Sequence, residues 1–312
     1  MHASISTIFL TLFSGAGFGL MSLTILANWL RLDGGLSVME TLVAGVLALV
    51  FVTIGMISST FHLANPKNAW RAFSRWRTSW LAREGVFAVA FYPFALIYLG
   101  AIWLWQDAMN PVALIGGIGA LLLSLATIFS QGMIYACLRT IRQWNTPLIP
   151  TAFLFMGFAL GATVLAAVRL YMGGEAGNLV ALALALLVAA AIVKAIYYFW
   201  IAQPGGPTIN TATGFTRAKV RLLDQGHSGG TFLTEEFGHI VSPQTASILK
   251  VVVFVLGFIV PGWLLVSGLY TGTAMLGAIA ALSAFVGIYV ERWLFWTEAQ
   301  HVVNLYHGRQ QC

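Results

Sequence analysis

"MHASISTIFLTLFSGAGFGLMSLTILANWL", residues 1–30, contains no Asp, Glu, Lys or Arg. Its apolar stretch is longer than the core of a secretory signal, and no basic segment precedes it. About 20 apolar residues cross a bilayer core as a helix. The stretch therefore reads as a first membrane-spanning helix. A spanning segment must satisfy its own backbone, which leaves helices or closed barrels. The apolar run is continuous rather than alternating, so it is a helix.

Seven further segments of the same kind follow. Together the eight cover roughly 5–30, 38–61, 84–105, 112–137, 148–171, 178–201, 248–269 and 272–297. Pro66, Asn110-Pro111, Thr146-Pro147 and Gly173-Gly174 mark the breaks, and Tyr270-Thr271-Gly272 is the weakest of them. The whole chain of 312 residues is 59% hydrophobic and 8% charged. Soluble domains carry about 25% charge, so a water-exposed surface is excluded. The expected architecture is one all-α membrane domain over 1–312.

An even number of spans puts both termini on one face. Connections 2–3, 4–5 and 6–7 share that face and hold most of the Lys and Arg, whereas the other face has only Arg31 and Arg169. The positive-inside rule makes the basic face cytoplasmic. Both termini are expected in the cytoplasm, and the inner membrane of a bacterium is the expected location. The one long connection, 203–247, is then a cytoplasmic loop of the length that is usually functional or disordered.

Glycine-rich "SGAGFG", Ser14–Gly19, lies inside an apolar helix with no strand before it. A nucleotide loop fails on that context. Gly15 and Gly19 are four apart, the spacing of close helix packing. Two distant cysteines, Cys137 and Cys312, form no metal motif, so no metal site is expected on this chain. Ionisable residues inside membranes are costly and usually functional. Here Glu40, Glu84, Arg169, Lys194, Glu291 and Arg292 all fall near span ends. For Lys194 and Arg292 interfacial snorkelling is a sufficient account.

The chemistry concentrates in "SSTFHLANPKNAWRAFSRWRTSWLAREGVF", Ser58–Phe87, with one His, one Glu, four Arg and three Trp. Pro66 disfavours continuing the second span. Residues 67–83 read as a short interfacial helix with Trp70, Phe73, Trp76 and Trp80 on one face and Lys67, Arg71 and Arg75 opposite. Arg77 falls with the aromatics and needs an anionic or polar partner. His62 and Glu84 flank the helix at one depth. A His, a carboxylate and an Arg beneath an aromatic roof suit a quinone, whose two oxygens take hydrogen bonds and whose reduction takes up two protons. The alternative is an interfacial anchor with ordinary ion pairs.

This stretch resembles the anchor subunit family of dimethyl sulfoxide reductase. "RLLDQGHSGGTFLTEEFG" and "VERWLFWTEAQHVVNLYHG" are similar to the subgroup associated with sulfite-oxidising molybdoenzymes. The resemblance implies a complex in which one partner carries a molybdopterin cofactor and another carries iron–sulfur clusters. The anchor would exchange electrons with ubiquinone or menaquinone, bind no haem and hold no catalytic residue for the terminal substrate. The expected function is quinone reduction coupled to sulfite oxidation, with menaquinol oxidation in a dimethyl sulfoxide reductase-type enzyme as the alternative. A non-redox tether or transporter is the reading from another class. His62 and Glu84 match the family's quinol-site positions, and Arg77 and Trp80 join them from helical geometry. Arg71, Arg75, Arg217, Lys219 and Arg221 are the expected docking residues for the iron–sulfur subunit.

Overall fold

A computed structural model describes residues 4–312 apart from 62–64, 204, 216, 225–228, 230, 232–236 and 238–240. Among the described residues eight helices are long and apolar enough to cross a membrane. They are α1 (Ile5–Trp29), α2 (Val38–Thr60), α3 (Trp80–Trp105), α4 (Pro111–Ala136), α5 (Leu148–Tyr171), α6 (Gly177–Ala202), α7 (Pro243–Thr271) and α8 (Ala274–Thr297). The start of α1 and the C-terminal segment lie on one side of the bundle, the terminal face.

Helix α1 is the central post, buried along nearly its whole length. Small residues make this possible, because lipid supplies no hydrophobic force between helices and close packing must do so instead. A Cβ at Gly19 would lie 2.1 Å from the Gly157 carbonyl oxygen of α5, and one at Gly161 would lie 2.3 Å from the Leu20 nitrogen. The packing role expected for the Ser14–Gly19 glycines is carried by Gly19 against α5 and by Gly17 against α2, where a Cβ would lie 2.6 Å from the Ala48 carbonyl oxygen. The hydroxyls of Ser14, Ser22 and Thr24 donate to carbonyls one turn earlier, at 2.6–2.8 Å. No hydroxyl among these three is left unpaired in the core. Outer helices instead turn apolar side chains outward, as α6 does with Val188, Ile192, Ile196 and Phe199. That stripe is the lipid-facing side of a bundle.

Helix α7 contains a π-turn at Val255–Ile259, just before Pro261. Proline has no N–H to donate and crowds the carbonyl four residues back, so the ladder widens there. Ser283 of α8 donates to the Leu256 carbonyl at 2.9 Å. Gly287 admits the bulge, since a Cβ there would lie 2.1 Å from the Gly257 nitrogen. The break after α7 is made by Gly272 at φ +66.

Three boundaries differ from the sequence expectation. The short surface helix is a 3-10 helix over Pro66–Arg75, not an α-helix through 83. Helix α3 begins at Trp80, where Ser79 caps it by accepting from the Ala82 N–H. This draws Glu84 a full turn inside the helix. Helix α7 begins at Pro243, capped by Ser242, and takes five residues from the expected 203–247 loop.

The C-terminal segment is strapped across the terminal face. His301 bridges to Ile141, and Thr208 bridges to Gln311. The Val302 N–H donates to the Thr140 carbonyl at 3.0 Å, and the Cys312 N–H donates to the Pro207 carbonyl at 3.1 Å. Three stretches remote in sequence thus form one platform over the ends of α4, α5 and α8.

Candidate functional site: a buried carboxylate between two cavities

Glu84 is 4% exposed. Its Oε1 accepts a hydrogen bond from Gln131 Nε2 at 2.9 Å. The same amide donates to Ser14 Oγ at 2.8 Å. Three helices, α1, α3 and α4, therefore meet at one carboxylate. No Lys, Arg or His among the described residues pairs with Glu84 as an ion. The Gln131 Oε1 has no hydrogen-bond partner among them either. A buried acid held by one neutral donor is costly to keep.

Two cavities open on either side of this carboxylate, separated by Leu10, Leu81 and Glu84 itself. The smaller, about 280 Å³, lies between the end of α2 and the Pro66–Arg75 helix and is lined by Met56, Thr60 and Phe73. The larger, about 400 Å³, reaches the terminal face and is lined by Tyr135, Trp144, Phe237, Trp296 and His301. Its aromatic wall is mutually packed. Tyr135 stands 5.1 Å from Trp144 and 5.7 Å from Trp296, and the two tryptophans are 5.2 Å apart, all edge to face. Trp144 is fixed by donating its indole N–H to the Phe295 carbonyl at 3.0 Å. Such a wall suits a flat, conjugated head group.

His301 sits at the mouth of the larger cavity. The Val303 N–H donates to its Nδ1 at 3.0 Å, and Phe237 lies against the ring at 4.8 Å. Partial burial holds the imidazole below its usual range, so the ring stays neutral to lower pH.

The other expected site residues are less central. His62 lies outside the described residues, although Thr60, two positions earlier, lines the smaller cavity. Arg77 is exposed, with its guanidinium 5.8 Å from the Trp76 ring centre. It follows the 3-10 helix rather than sitting on an α-helix, so the 100° spacing that grouped it with the aromatics does not hold there. Trp80 packs edge to face on Phe129 at 5.9 Å and lies beneath Arg83. Neither Arg77 nor Trp80 lines either cavity. Arg71, Arg75, Arg217, Lys219 and Arg221 are all exposed, on connections of the terminal face.

Lys194 and Arg292 are not interfacial. They are 1% and 3% exposed. Lys194 Nζ is 2.5 Å from Glu291, and Arg292 is 3.5 Å from the other oxygen of that carboxylate. The Lys194 ammonium also faces the Tyr197 and Tyr198 rings, and Arg292 lies over Phe153 at 3.7 Å. Snorkelling fails because Glu291 of α8 supplies a carboxylate within reach of the Lys194 ammonium inside the bundle. Sequence reasoning also passed over Gln131, the aromatic wall and the cavity position of His301. Gln131 did carry a signal, as a lone amide inside the apolar run of α4.

Eight apolar spans, with a buried acid near one basic face, define a multi-pass membrane protein. Comparison with known proteins makes the class specific. The family model for the DMSO reductase anchor subunit (DmsC) matches residues 1–297. One of the sulfite dehydrogenase subunits of Allochromatium vinosum is 32% identical, over 98% of this chain and 99% of that protein. The chain belongs to the DMSO reductase anchor subunit family: it is the membrane anchor of a DMSO reductase-family complex, whose molybdopterin and iron–sulfur centres sit on partner subunits.

Proposed function

We propose that this anchor exchanges electrons between the quinone pool and the iron–sulfur subunit, and that the quinone head group sits against Glu84. The observation that carries the reading is Glu84 itself, buried inside the bundle, held by a neutral amide and open to two cavities. Quinone reduction takes up two protons with two electrons. A positioned carboxyl can pass them, while the partner's clusters supply the electrons. His62 is the expected second polar group on the smaller-cavity side, and no haem is expected. Arg77 and Trp80 stand beyond the cavity walls, so their part is to brace the start of α3.

The likeness to a sulfite dehydrogenase subunit supports electron flow from sulfite toward quinone. Menaquinol oxidation is the second reading, favoured by the family description. The positive-inside asymmetry supports a cytoplasmic terminal face in a bacterial inner membrane, with Arg71, Arg75, Arg217, Lys219 and Arg221 meeting the iron–sulfur subunit there.

The deciding experiment is Glu84→Gln in membranes bearing the whole complex. Substrate-dependent quinone turnover is measured beside a soluble acceptor that bypasses the anchor. Loss of the first by about 10²–10⁴ with the second intact is expected. Normal quinone turnover in this variant would sink the proposal and leave the site as an interfacial anchor.

A further inference from the structure

Glu84 belongs to the walls of both cavities, together with Leu10 and Leu81. The two leucines offer no polar side-chain atom. Among the described residues Glu84 is therefore the one polar side chain that the two spaces share. The spaces themselves differ. The smaller is roofed by Phe73 of the Pro66–Arg75 helix, and Thr60, two positions before His62, lines it. The larger opens on the terminal face, where the backbone bridge between Ile141 and His301 frames its mouth. Polar side chains line it from that mouth inward, with Thr140 first, then Tyr135, then Gln131 one helical turn deeper beside Glu84. A cavity holds water when it is roomy and offers polar partners. At about 400 Å³, against roughly 30 Å³ per molecule in liquid water, the larger one has room for a continuous file. Gln131 Oε1, without a hydrogen-bond partner among the described residues, is the kind of group that such water satisfies. The aromatic wall bounds this space rather than filling it, because Tyr135, Trp144 and Trp296 are held against one another. Occupation of that wall by a flat ring is the alternative, and the test includes it.

We infer that the larger cavity is the proton inlet of the quinone site: water enters it from the terminal face and recharges Glu84, which passes protons across the wall to the smaller cavity. The inference rests on the quinone reading above, with the head group on the His62 side, and adds the route by which protons arrive. Glu84 Oε1 is taken by the Gln131 amide, so Oε2 is the oxygen left for exchange. Leu10 and Leu81 close the rest of the wall, which makes the acid the polar way across. Two protons pass through Glu84 for each pair of electrons that the partner's clusters supply, and water at the terminal face replaces them.

The test uses the intact complex in a Cys137→Ser/Cys312→Ser background, which removes the native thiols. Ile134→Cys places a thiol in the larger cavity. A charged, membrane-impermeant methanethiosulfonate added on the terminal face should label it, as read by mass spectrometry. Ubiquinone should bind the labelled complex as before. Its turnover should fall about tenfold or more, because the acid that loses its proton supply contributes about 10²–10⁴. The residual rate should slow more in D₂O than the unlabelled rate does, and removal of the adduct with a thiol should restore it. Ile134→Trp fills the same cavity without a reagent and should repeat the pattern. Met56→Trp fills the smaller cavity and should instead weaken ubiquinone binding. Turnover with the bypass acceptor should be unchanged throughout. Weakened ubiquinone binding in the Ile134 variants would place the ring on the aromatic wall and overturn the inference. Full turnover in labelled Ile134→Cys or in Ile134→Trp would overturn it too. Glu84→Gln measured in parallel separates the two claims. A crippled Glu84→Gln beside Ile134 variants of full turnover ends only the inlet, whereas normal turnover in Glu84→Gln ends both.

Discussion

The two ends of the bundle bury charge in opposite ways. Away from the termini, Glu40 and Arg169 form an ion pair that is answered on every side. Glu40 also accepts from the Ser37 N–H as part of a capping box. Arg169 donates to the Glu175 and Asp33 carbonyls at 2.8 and 2.9 Å. Asp33 in turn takes the Asn178 and Leu179 N–H groups that open α6. At the terminal end the buried groups are less complete. Gln131 Oε1, Arg292 Nε and the Tyr197 and Tyr198 hydroxyls lack a hydrogen-bond partner among the described residues, and Glu84 has no counter-charge there. A saturated network holds helices in place and resists change. An unsaturated one is expensive to keep, and membrane proteins keep such groups where they act.

The largest effect should come from the unsaturated end and should be on rate alone. Glu84→Gln should lose quinone turnover by about 10²–10⁴ while its thermal unfolding temperature holds or rises, since a buried carboxyl is replaced by an amide. A fall in unfolding temperature parallel to the loss of turnover would erase the distinction between the two ends.

The saturated end should behave the other way. Arg169→Met leaves Glu40 and two carbonyls without their donor. Breaking a buried pair in this manner costs about 3–5 kcal/mol. Thermal denaturation in detergent should fall sharply, while the complex that still assembles keeps its turnover per molecule.

Lys194→Met sharpens the contrast. Its carboxylate partner Glu291 retains Arg292 at 3.5 Å, so the destabilisation should be smaller than for Arg169→Met. The double variant Lys194→Met/Glu291→Leu should recover much of it, because apolar replacement of a buried pair is often close to neutral. Equal losses in the single and double variants would mean that these side chains matter for packing rather than charge.

The smallest effect is one of pH. Burial lowers the His301 pKa in the folded protein. As pH falls below about 6.5 the unfolded chain takes up this proton first, so folding stability declines on the acid side and is unaffected above neutrality. Between about pH 7.5 and 5.5, a window spanning the ordinary imidazole pKa, the unfolding temperature of His301→Asn should fall less than that of the wild type. Parallel falls would show that His301 is not the group responsible.

Much of this was open to inspection in the sequence. Glu84 was legible because a carboxylate beside an apolar run is conspicuous, and Gly19 because small residues four apart mark a packing face. Lys194 and Arg292 were misplaced for a definite reason. A charge near a span end can reach water unless the bundle encloses it, and the carboxylate that both cations meet, Glu291, lies on the last span, remote in sequence from Lys194.

What the sequence determined by itself is the set of eight spans, the uneven charge on the two faces and the presence of one acid at the head of α3. Each follows from a local requirement, since about 20 apolar residues must satisfy their own backbone in lipid. Only the tertiary structure decided what that acid meets. Gln131 is 47 positions from Glu84, and Ser14 is 117 positions from Gln131. The aromatic wall draws on α4, the 137–147 connection and α8, and His301 reaches the cavity through a backbone bridge to Ile141. These contacts depend on how helices pack, and packing between lipid-soluble helices is settled by close fit at a few small residues rather than by any pattern along one of them.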